Sequence, residues 1–248
     1  MMSEQNTQPQ SAASLTPTRL SMRLMEIVSS ILPCGRVIDV GSDHGHVISY
    51  LLENHIVKSA VATDIHADPA ETTKRYLRRQ GVMQHAEVYH TDGLHGIRLI
   101  ERDVVIISGL GGVEMIRILS EALEEHKGAF PRNIRWMLQP QRSFEELRVF
   151  LSRATFRIDR ESICMDREKI YMILQAEWTG VAGVEMSLTE RVLGPRIIES
   201  RPAHFEEYLH HQKNVLKKHM RARPELADVL KDIDILLRGE STDKEVLL

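Results

Sequence analysis

Apolar and polar positions follow two alternating patterns through the middle of the chain. Short apolar runs typical of buried strands, such as Val104 to Ile107, are followed by stretches with helical spacing, such as Ile116, Leu119 and Leu123. This order predicts an α/β fold, in which a parallel sheet carries helices on its faces. The predicted strands are residues 37–40, 60–63, 87–90, 104–107 and 135–138.

Two of the predicted helices begin with capping signals. One has Asp68 at the N-cap position, followed by Pro69 and Glu71, and the other has Ser143 with Glu146 at capping-box spacing. In a capping box the two polar side chains bond to backbone amides at the start of the helix. We therefore expect both helices to start at these residues.

The pattern changes after Thr155. Two extended runs, 156–165 and 169–178, are separated by a short polar turn, and apolar residues of the second run alternate with more exposed positions. This predicts an antiparallel hairpin at the end of the sheet. Such an ending favours the Rossmann-like class I methyltransferase fold over that of a dehydrogenase.

The last part of the chain predicts a helical hairpin that resembles a coiled coil. A linker at 179–183 is followed by two segments with matching helical spacing of apolar residues, so that their stripes can pack together. The stripes consist of Phe205, Tyr208, Leu209, Gln212, Val215 and Leu216, and of Leu226, Val229, Leu230, Ile233, Leu236 and Leu237. The predicted units are a disordered leader at 1–17, an α/β domain at 18–180 and the helical hairpin domain at 184–248.

Composition narrows the class of protein. A content of 42% hydrophobic and 27% charged residues is ordinary for a soluble globular protein. The two cysteines, Cys34 and Cys164, have no disulfide-scaffold or zinc spacing, which favours a reducing compartment. No apolar stretch is long enough to span a bilayer. We therefore expect a cytoplasmic protein that does not engage a membrane.

Acidic side chains follow the first three predicted strands. Asp39 and Asp43 flank Gly41 after the first strand, Asp64 ends the second, and Asp92 follows the third. Because the carboxyl ends of parallel strands share one edge of a sheet, we expect these carboxylates to line a ligand site. Their charge disfavours a diphosphate and suits a cation, although each of them alone is also typical of an ordinary turn.

A glycine-rich turn, Ser108 to Gly112, follows the most apolar strand. Glycines at this edge let a flat or bulky group approach the backbone, and their amides open a helix N-terminus. The Asn-Pro-Pro-aromatic motif of exocyclic-amine methyltransferases is absent from this turn. The sequence also has neither a P-loop nor a G-x-G-x-x-G signature. A turn shaped by packing alone is the alternative interpretation.

These segments resemble the TrmK family of bacterial tRNA N1-adenine methyltransferases, which act on adenine 22 of the D-loop. The resemblance covers roughly residues 18–178, and family members also carry a C-terminal helical domain that resembles a coiled coil. The matching segments, in chain order, are Leu20–Leu24, Asp39–His44, Asp92–Leu94, Gly109–Gly112, Leu138–Pro140 and Lys169–Tyr171.

The resemblance implies that the α/β domain binds S-adenosylmethionine and that the substrate is tRNA. The implied cofactor-binding residues are Arg23, Asp39, Gly41, Ser42, Asp43, His44, Asp64, Ile65, Asp92 and Gly93. The residues expected around the target base are Gly109, Leu110, Gly111, Gly112, Gln139, Pro140 and Gln141. Two of these depart from the family, which usually has Met at Leu110 and Asn at Gln141. We expect no metal, because His44 and His46 have no third ligand at a suitable spacing.

Basic charge is concentrated near the C-terminus, although the formal net charge is −3. Such a cluster can bind RNA phosphates. Without the family resemblance, a helix face that is simply exposed to solvent explains the basic residues equally well. The alternatives are a methyltransferase acting on another RNA site or a small molecule, and a non-catalytic RNA-binding protein with this fold. The predicted phosphate-binding residues are Arg191, Arg196, Arg201, Lys213, Lys217, Lys218, Arg221 and Arg223.

Overall fold

The computed structural model describes residues 17–240, and its strands form a single mixed sheet. The strands are β1 (Cys34–Val40), β2 (Val57–Asp64), β3 (Ala86–His90), β4 (Val104–Ser108), β5 (Arg135–Gln139), β6 (Phe156–Asp166) and β7 (Lys169–Trp178). The α-helices are α1 (Met22–Ser29), α2 (His46–Glu53), α3 (Ala67–Arg79), α4 (Gly112–Glu125), α5 (Phe144–Arg153), α6 (Leu188–Leu193), α7 (Pro195–Ser200), α8 (Phe205–His219) and α9 (Leu226–Leu237).

The seven strands lie in the order β3-β2-β1-β4-β5-β7-β6. Strands β1 to β5 are parallel, whereas β7 pairs antiparallel with both β5 and β6. The predicted parallel sheet with a terminal antiparallel hairpin is thus confirmed. Helices α1, α6 and α7 are additional to the predicted elements.

Both faces of the sheet are buried, which explains the unbroken apolar run of β4. Val105 and Ile107 pack on the face that carries α4 and α5, whereas Val104 and Ile106 pack on the face that carries α1, α2 and α3. Successive side chains of a strand point to opposite faces, so a strand covered on both sides needs apolar residues at every position.

The two predicted capping boxes are wrong. Helix α3 starts at Ala67 with His66 as its N-cap, so Asp68 lies inside the first turn. The reason is that Asp64 accepts a hydrogen bond from the His66 amide at 2.9 Å and turns the chain earlier. Ser143 does precede α5, but its φ of 59° is left-handed and its side chain caps nothing, because a capping side chain requires an extended N-cap backbone.

The C-terminal helices α8 and α9 pack against each other and against the sheet. The cluster that holds their apolar stripes also contains Ile163 of β6 and Met172 of β7. The boundary predicted between 18–180 and 184–248 therefore crosses a shared apolar cluster. The predicted leader, 1–17, lies outside the described residues except for Pro17, as do residues 241–248. No helix of the described part combines the length and apolar character that a membrane crossing requires.

A fully buried ion pair joins the sheet to the C-terminal helices. Arg148 of α5 and Glu161 of β6 are both 0% exposed and lie 2.7 Å apart. The Arg148 guanidinium also donates to the carbonyl oxygens of Arg191 and Val192 in α6, at 2.9 and 3.1 Å. Glu161 accepts the backbone N–H of Arg196 in α7 at 2.9 Å. Both charges are thus satisfied only when α6 and α7 are docked.

We expect Arg148→Met to lower the free energy of unfolding by about 3–5 kcal/mol, because it leaves the Glu161 carboxylate buried without its partner. Urea unfolding followed by circular dichroism measures this. The double variant Arg148→Met with Glu161→Leu removes both charges and should recover much of the loss. Arg157→Met breaks an exposed pair with Glu177 and serves as the control, since exposed pairs contribute little. Equal effects of Arg148→Met and Arg157→Met would contradict the assignment.

Candidate functional site

The candidate site lies at the carboxyl edge of the parallel strands. The turns after β1, β2, β4 and β5 meet at this edge, as do α1 and the far end of the β6–β7 hairpin. Leu138 near the end of β5 pairs with Leu174, so residues 169–173 of β7 and the β6 residues paired with them, up to Asp166, extend beyond the end of β5. The backbone N–H of Arg23, in α1, donates to Asp166 of this extension at 3.3 Å. The extension and α1 therefore form a wall beside the turns.

The turn after β1 is fixed by β2 and leaves space above its first glycine. The amides of Gly41 and Ser42 donate to the Thr63 carbonyl oxygen at 2.8 and 3.0 Å. Gly41 has a φ of +71°, and no atom lies within 4 Å of the position that a Cβ would occupy. The backbone at this point is thus open to a ligand.

Asp39 is a buried carboxyl group under that turn. It is 3% exposed, and burial raises its pKa to about 7, with Asp64 acting in the same direction and Arg23 in the opposite one. An anion held out of water in this way is stabilised by any cation that enters the site. The acidic donor set therefore fits a ligand that carries positive charge.

Asp64 is held by two backbone amides. Its Oδ2 accepts from the Asp43 N–H at 3.2 Å and its Oδ1 from the His66 N–H at 2.9 Å. A carboxylate has about four acceptor sites, so both oxygens can still accept hydroxyl groups. Ile65 follows directly and is 52% exposed. This pair of residues fits a ribose diol beside an apolar ring face.

Asp92 is oriented by Arg117 of α4. The Arg117 Nη2 lies 2.6 Å from the Asp92 Oδ1, and the same guanidinium contacts Glu114 and Glu121 at 2.6 and 2.7 Å. These contacts fix one carboxylate oxygen of Asp92 and leave the other for a ligand amine. The adjoining Gly93 packs against Ile118, which lies 3.1 Å from its Cβ position, so Gly93 is also required for packing.

The glycines of the turn after β4 serve two different purposes. Gly109 has a φ of +83° and open space at its Cβ position, whereas a Cβ on Gly112 would collide with the carbonyl oxygen of Ser143. The Gly112 N–H also donates to the Arg142 carbonyl at 2.9 Å. The first glycine is thus accessible, and the last one locks the turn against the loop after β5.

Gln139 is the centre of a hydrogen-bond network and is 0% exposed. Its Oε1 accepts from Arg23 Nη1 at 2.6 Å, from the Gly109 N–H at 3.2 Å and from Gln141 Nε2 at 3.0 Å. The Arg23 guanidinium also lies 5.7 Å from the ring centroid of Tyr171. The structure thus brings together residues from α1, β7 and two of the predicted turns.

His44 and the Asp43 side chain stand apart from this network. They lie 3.6 Å from each other, with side chains 53% and 71% exposed. Among residues 17–240, no group of three or more His, Cys, Asp or Glu side chains is arranged to hold a metal ion.

The sequence analysis missed Arg117, Asp166 and Tyr171. Arg117 has acidic residues at helical spacing on both sides, which by itself indicates only surface pairs along α4. Its contact with Asp92 joins distant parts of the chain. Tyr171 was part of a matching segment without an assigned contact.

About half of the predicted phosphate-binding residues are engaged inside the protein. Arg196 pairs with Glu199, Lys213 with Asp234, and Arg223 with Glu145. Arg201 donates to the carbonyl oxygens of Gly239 and Glu240. Three others are exposed at the end of α8 and beyond and form no ion pair with the described residues; they are Lys217, Lys218 and Arg221.

Comparison with known proteins shows one matching family. The Methyltransferase domain family matches residues 20–174. The tRNA (adenine(22)-N(1))-methyltransferase of Bacillus subtilis is 32% identical over 160 residues, which cover 64% of this chain and 65% of that protein. The chain thus spans slightly less than two thirds of this relative.

Solved structures match over most of the chain. A Streptococcus pneumoniae protein proposed to be a tRNA (m1A22) methyltransferase, in complex with S-adenosyl-L-methionine, has a TM-score of 0.76 at 27% identity and covers 88% of this chain and 100% of that one. The B. subtilis m1A22 tRNA methyltransferase TrmK has a TM-score of 0.70 at 25% identity and covers 89% and 97%.

We expect the affinity for S-adenosylmethionine to rise as the pH increases through about 7, because the ionised Asp39 binds the cation and its protonated form does not. Asp39→Asn should bind weakly, without this pH dependence. Calorimetric titration between about pH 6 and pH 7.5 tests this, a window in which the amino group of the ligand stays largely protonated.

The same substitution should stabilise the ligand-free protein. A carboxyl whose pKa is raised by folding favours the folded state at low pH, and this contribution is lost as the pH rises through the folded-state pKa. Asp39→Asn should therefore melt at a higher temperature than the parent above pH 7. Glu199→Gln, an exposed carboxylate on α7, is the control. An unchanged affinity in Asp39→Asn would refute its role.

We expect Arg117→Met to weaken binding of S-adenosylhomocysteine several-fold, because Asp92 loses the contact that fixes its carboxylate. Glu121→Gln removes another partner of Arg117 but leaves the pair with Asp92, so it should bind as the parent does. Calorimetry on both variants separates the two cases. Equal affinities for the two would show that Arg117 does not orient Asp92.

Proposed function

As the chain belongs to the Methyltransferase domain family, we propose that it transfers a methyl group from S-adenosylmethionine to N1 of an adenine in tRNA. The predicted resemblance to TrmK is confirmed by the relative from B. subtilis and by the structures that match nearly the whole chain. Adenine 22 is the position named for these relatives, and we propose adenine 22 of the D-loop for this chain.

The observation that carries the proposal is the buried carboxyl of Asp39 beneath the open backbone of Gly41. S-adenosylmethionine supplies a methyl group attached to a positively charged sulfur, and its amino group adds a second positive charge. Asp39 and Asp43 provide the negative field that favours these charges. Asp64 and Asp92 are placed to hold the ribose hydroxyls and the adenine amine of the same ligand.

The Arg23 guanidinium supports the opposite end of that ligand. The guanidinium contacts the Gln139 amide oxygen and lies near the Tyr171 ring, and the backbone N–H of Arg23 donates to Asp166. The positive charge of Arg23 acts to lower the pKa of the Asp39 carboxyl. We assign Arg23 to the carboxylate of the methionine part, because a guanidinium favours a planar anion.

We place the target base against the turns at 109–112 and 139–141, on the side that Gly109 leaves open. Adenine N1 has a free lone pair once its Watson–Crick pairing is broken, so no strong base is required for its attack. The main tasks of the protein are to hold the base in line with the methyl group and to exclude water. Gly109 leaves the space for a flat ring, and the lock at Gly112 keeps the two turns at a fixed separation.

The proposed partner is tRNA, and the proposed location is the cytoplasm where tRNA is found. The exposed basic residues at the end of α8, Lys217 and Lys218 with the nearby Arg221, are available for phosphates. Arg223 holds this corner against α5 through Glu145, at 2.7 Å. Because α8 shares an apolar cluster with Met172 of β7, these basic residues are held to the hairpin whose far end borders the site.

Methyl transfer to unmodified tRNA tests the proposal. We expect the purified protein with labelled S-adenosylmethionine to modify tRNA that has adenine at position 22, and nucleoside mass spectrometry should identify 1-methyladenosine. The matched substrate carries guanine at that position and should stay unlabelled. Methylation elsewhere would favour another RNA site, whereas cofactor binding without any transfer would favour a non-catalytic RNA-binding protein.

A further inference from the structure

We propose that Gln141 reads the target base through its amide oxygen, and that Gln139 determines which end of the Gln141 amide faces the base. This inference rests on the proposed methylation of adenine N1. Gln141 is the residue by which the site would accept a base with an amino group beside the attacking nitrogen and reject a base with a carbonyl group there. Gln139 is a positioning residue in this scheme.

The orientation of the Gln139 amide follows from its neighbours. One end of the amide faces Arg23 Nη1 at 2.6 Å and the Gly109 backbone nitrogen at 3.2 Å. Both groups can only donate hydrogen bonds, so the atom that faces them is the oxygen. The other end lies 3.0 Å from the Pro140 carbonyl oxygen, which can only accept. The two ends thus require the same orientation.

The orientation of Gln141 follows from that of Gln139. The end of the Gln141 amide that lies 3.0 Å from the Gln139 oxygen must be its nitrogen, because two oxygens cannot share a hydrogen bond here. The Gln141 Oε1 therefore faces away from the buried amide. None of the residues from 17 to 240 donates a hydrogen bond to this oxygen.

The free oxygen lies beside the space proposed for the base. The Gln141 backbone N–H donates to the Leu110 carbonyl at 2.8 Å, which fixes the residue against the glycine turn. Gln141 is exposed and Gly109 next to it has an empty Cβ environment. A base that reaches this space meets an acceptor whose direction is already set.

An acceptor at this position distinguishes the two purines. Beside N1, adenine has an amino group that donates hydrogen bonds, whereas guanine has a carbonyl oxygen, and its N1 carries a hydrogen. The Gln141 oxygen can bond to the amino group and is repelled by the carbonyl. A site built to bond a donor also penalises a substrate that lacks it, because its own polar group is left unpaired.

The same bond gains strength during the reaction. As N1 of the adenine forms its bond to the methyl carbon, the carbon–sulfur bond breaks and the positive charge moves from sulfur to the adenine ring. The N6 hydrogens become more acidic, so their bond to a carbonyl oxygen strengthens in the transition state. No proton has to leave in this step. Gln141 is therefore expected to raise the rate as well as select the base.

A substrate cycle tests the proposal. The two substrates are tRNA with adenine at the methylated position and tRNA with purine ribonucleoside there, which keeps N1 and lacks the amino group. Replacing adenine by purine should lower kcat/KM for both enzymes. We expect the decrease to be roughly 10- to 100-fold larger for the parent than for Gln141→Met, which corresponds to one hydrogen bond to a group that gains charge. Equal ratios for both enzymes would overturn the proposal.

Two further measurements keep the outcomes distinct. Gln141→Met should bind S-adenosylhomocysteine with the parent affinity, which shows that the site is folded. Gln139→Met keeps the Gln141 side chain but removes the acceptor that orients its amide. The ratio of kcat/KM between the two substrates should therefore be smaller than in the parent, although Gln141 itself is unchanged. A ratio as large as that of the parent would contradict the role of Gln139. If the parent itself does not methylate adenine in tRNA, the proposed function has failed, irrespective of Gln141.

Discussion

The placement of the C-terminal helices depends on the buried pair of Arg148 and Glu161. Each charge would be costly in the core if it were unsatisfied, and the groups that complete their hydrogen bonds belong to α6 and α7. Gly194 between these two helices has a φ of +101°, and a Cβ there would lie 2.6 Å from a carboxylate oxygen of Glu161. The sheet and the helices are therefore joined through this pair, and the exposed basic end of α8 is fixed relative to the carboxyl edge of the sheet.

A different balance holds at the site itself, where a charge is left partly uncompensated. Asp39 is buried with a raised pKa, whereas Asp64 nearby is supported by two backbone amides. The ligand-free protein thus holds one carboxyl at a cost and another at little cost. In the proposed complex the costly one faces the part of the ligand that carries positive charge, so that binding recovers the free energy lost in folding.

The sequence was sufficient to predict what depends on local pattern. Five parallel strands, the hairpin and the acidic strand ends follow from apolar runs and from the rule that carboxyl ends share an edge. The capping box at Asp68 failed because Asp64, two residues before His66, turns the chain earlier. The one at Ser143 failed because the contact with Gly112 of α4 decided the local backbone. Pairs such as Arg117 with Asp92 depend on the register of packed helices, which spacing along the chain does not encode. For the same reason the sequence could not show which basic residues were already paired.

The interlock between Gly112 and the loop after β5 has a consequence for the nucleic acid. A carbonyl oxygen occupies the space where any side chain at position 112 would be, and the Gly112 N–H bonds to the Arg142 carbonyl oxygen, so the two turns cannot separate without breaking these contacts. For the proposed RNA substrate, the deformation needed for docking would then fall on the RNA, whose nucleotide has to leave its stack before it fits. An enzyme of the proposed kind would be most effective on nucleotides whose own surroundings hold them weakly, so that the flexibility of a polynucleotide loop would become part of the recognition signal.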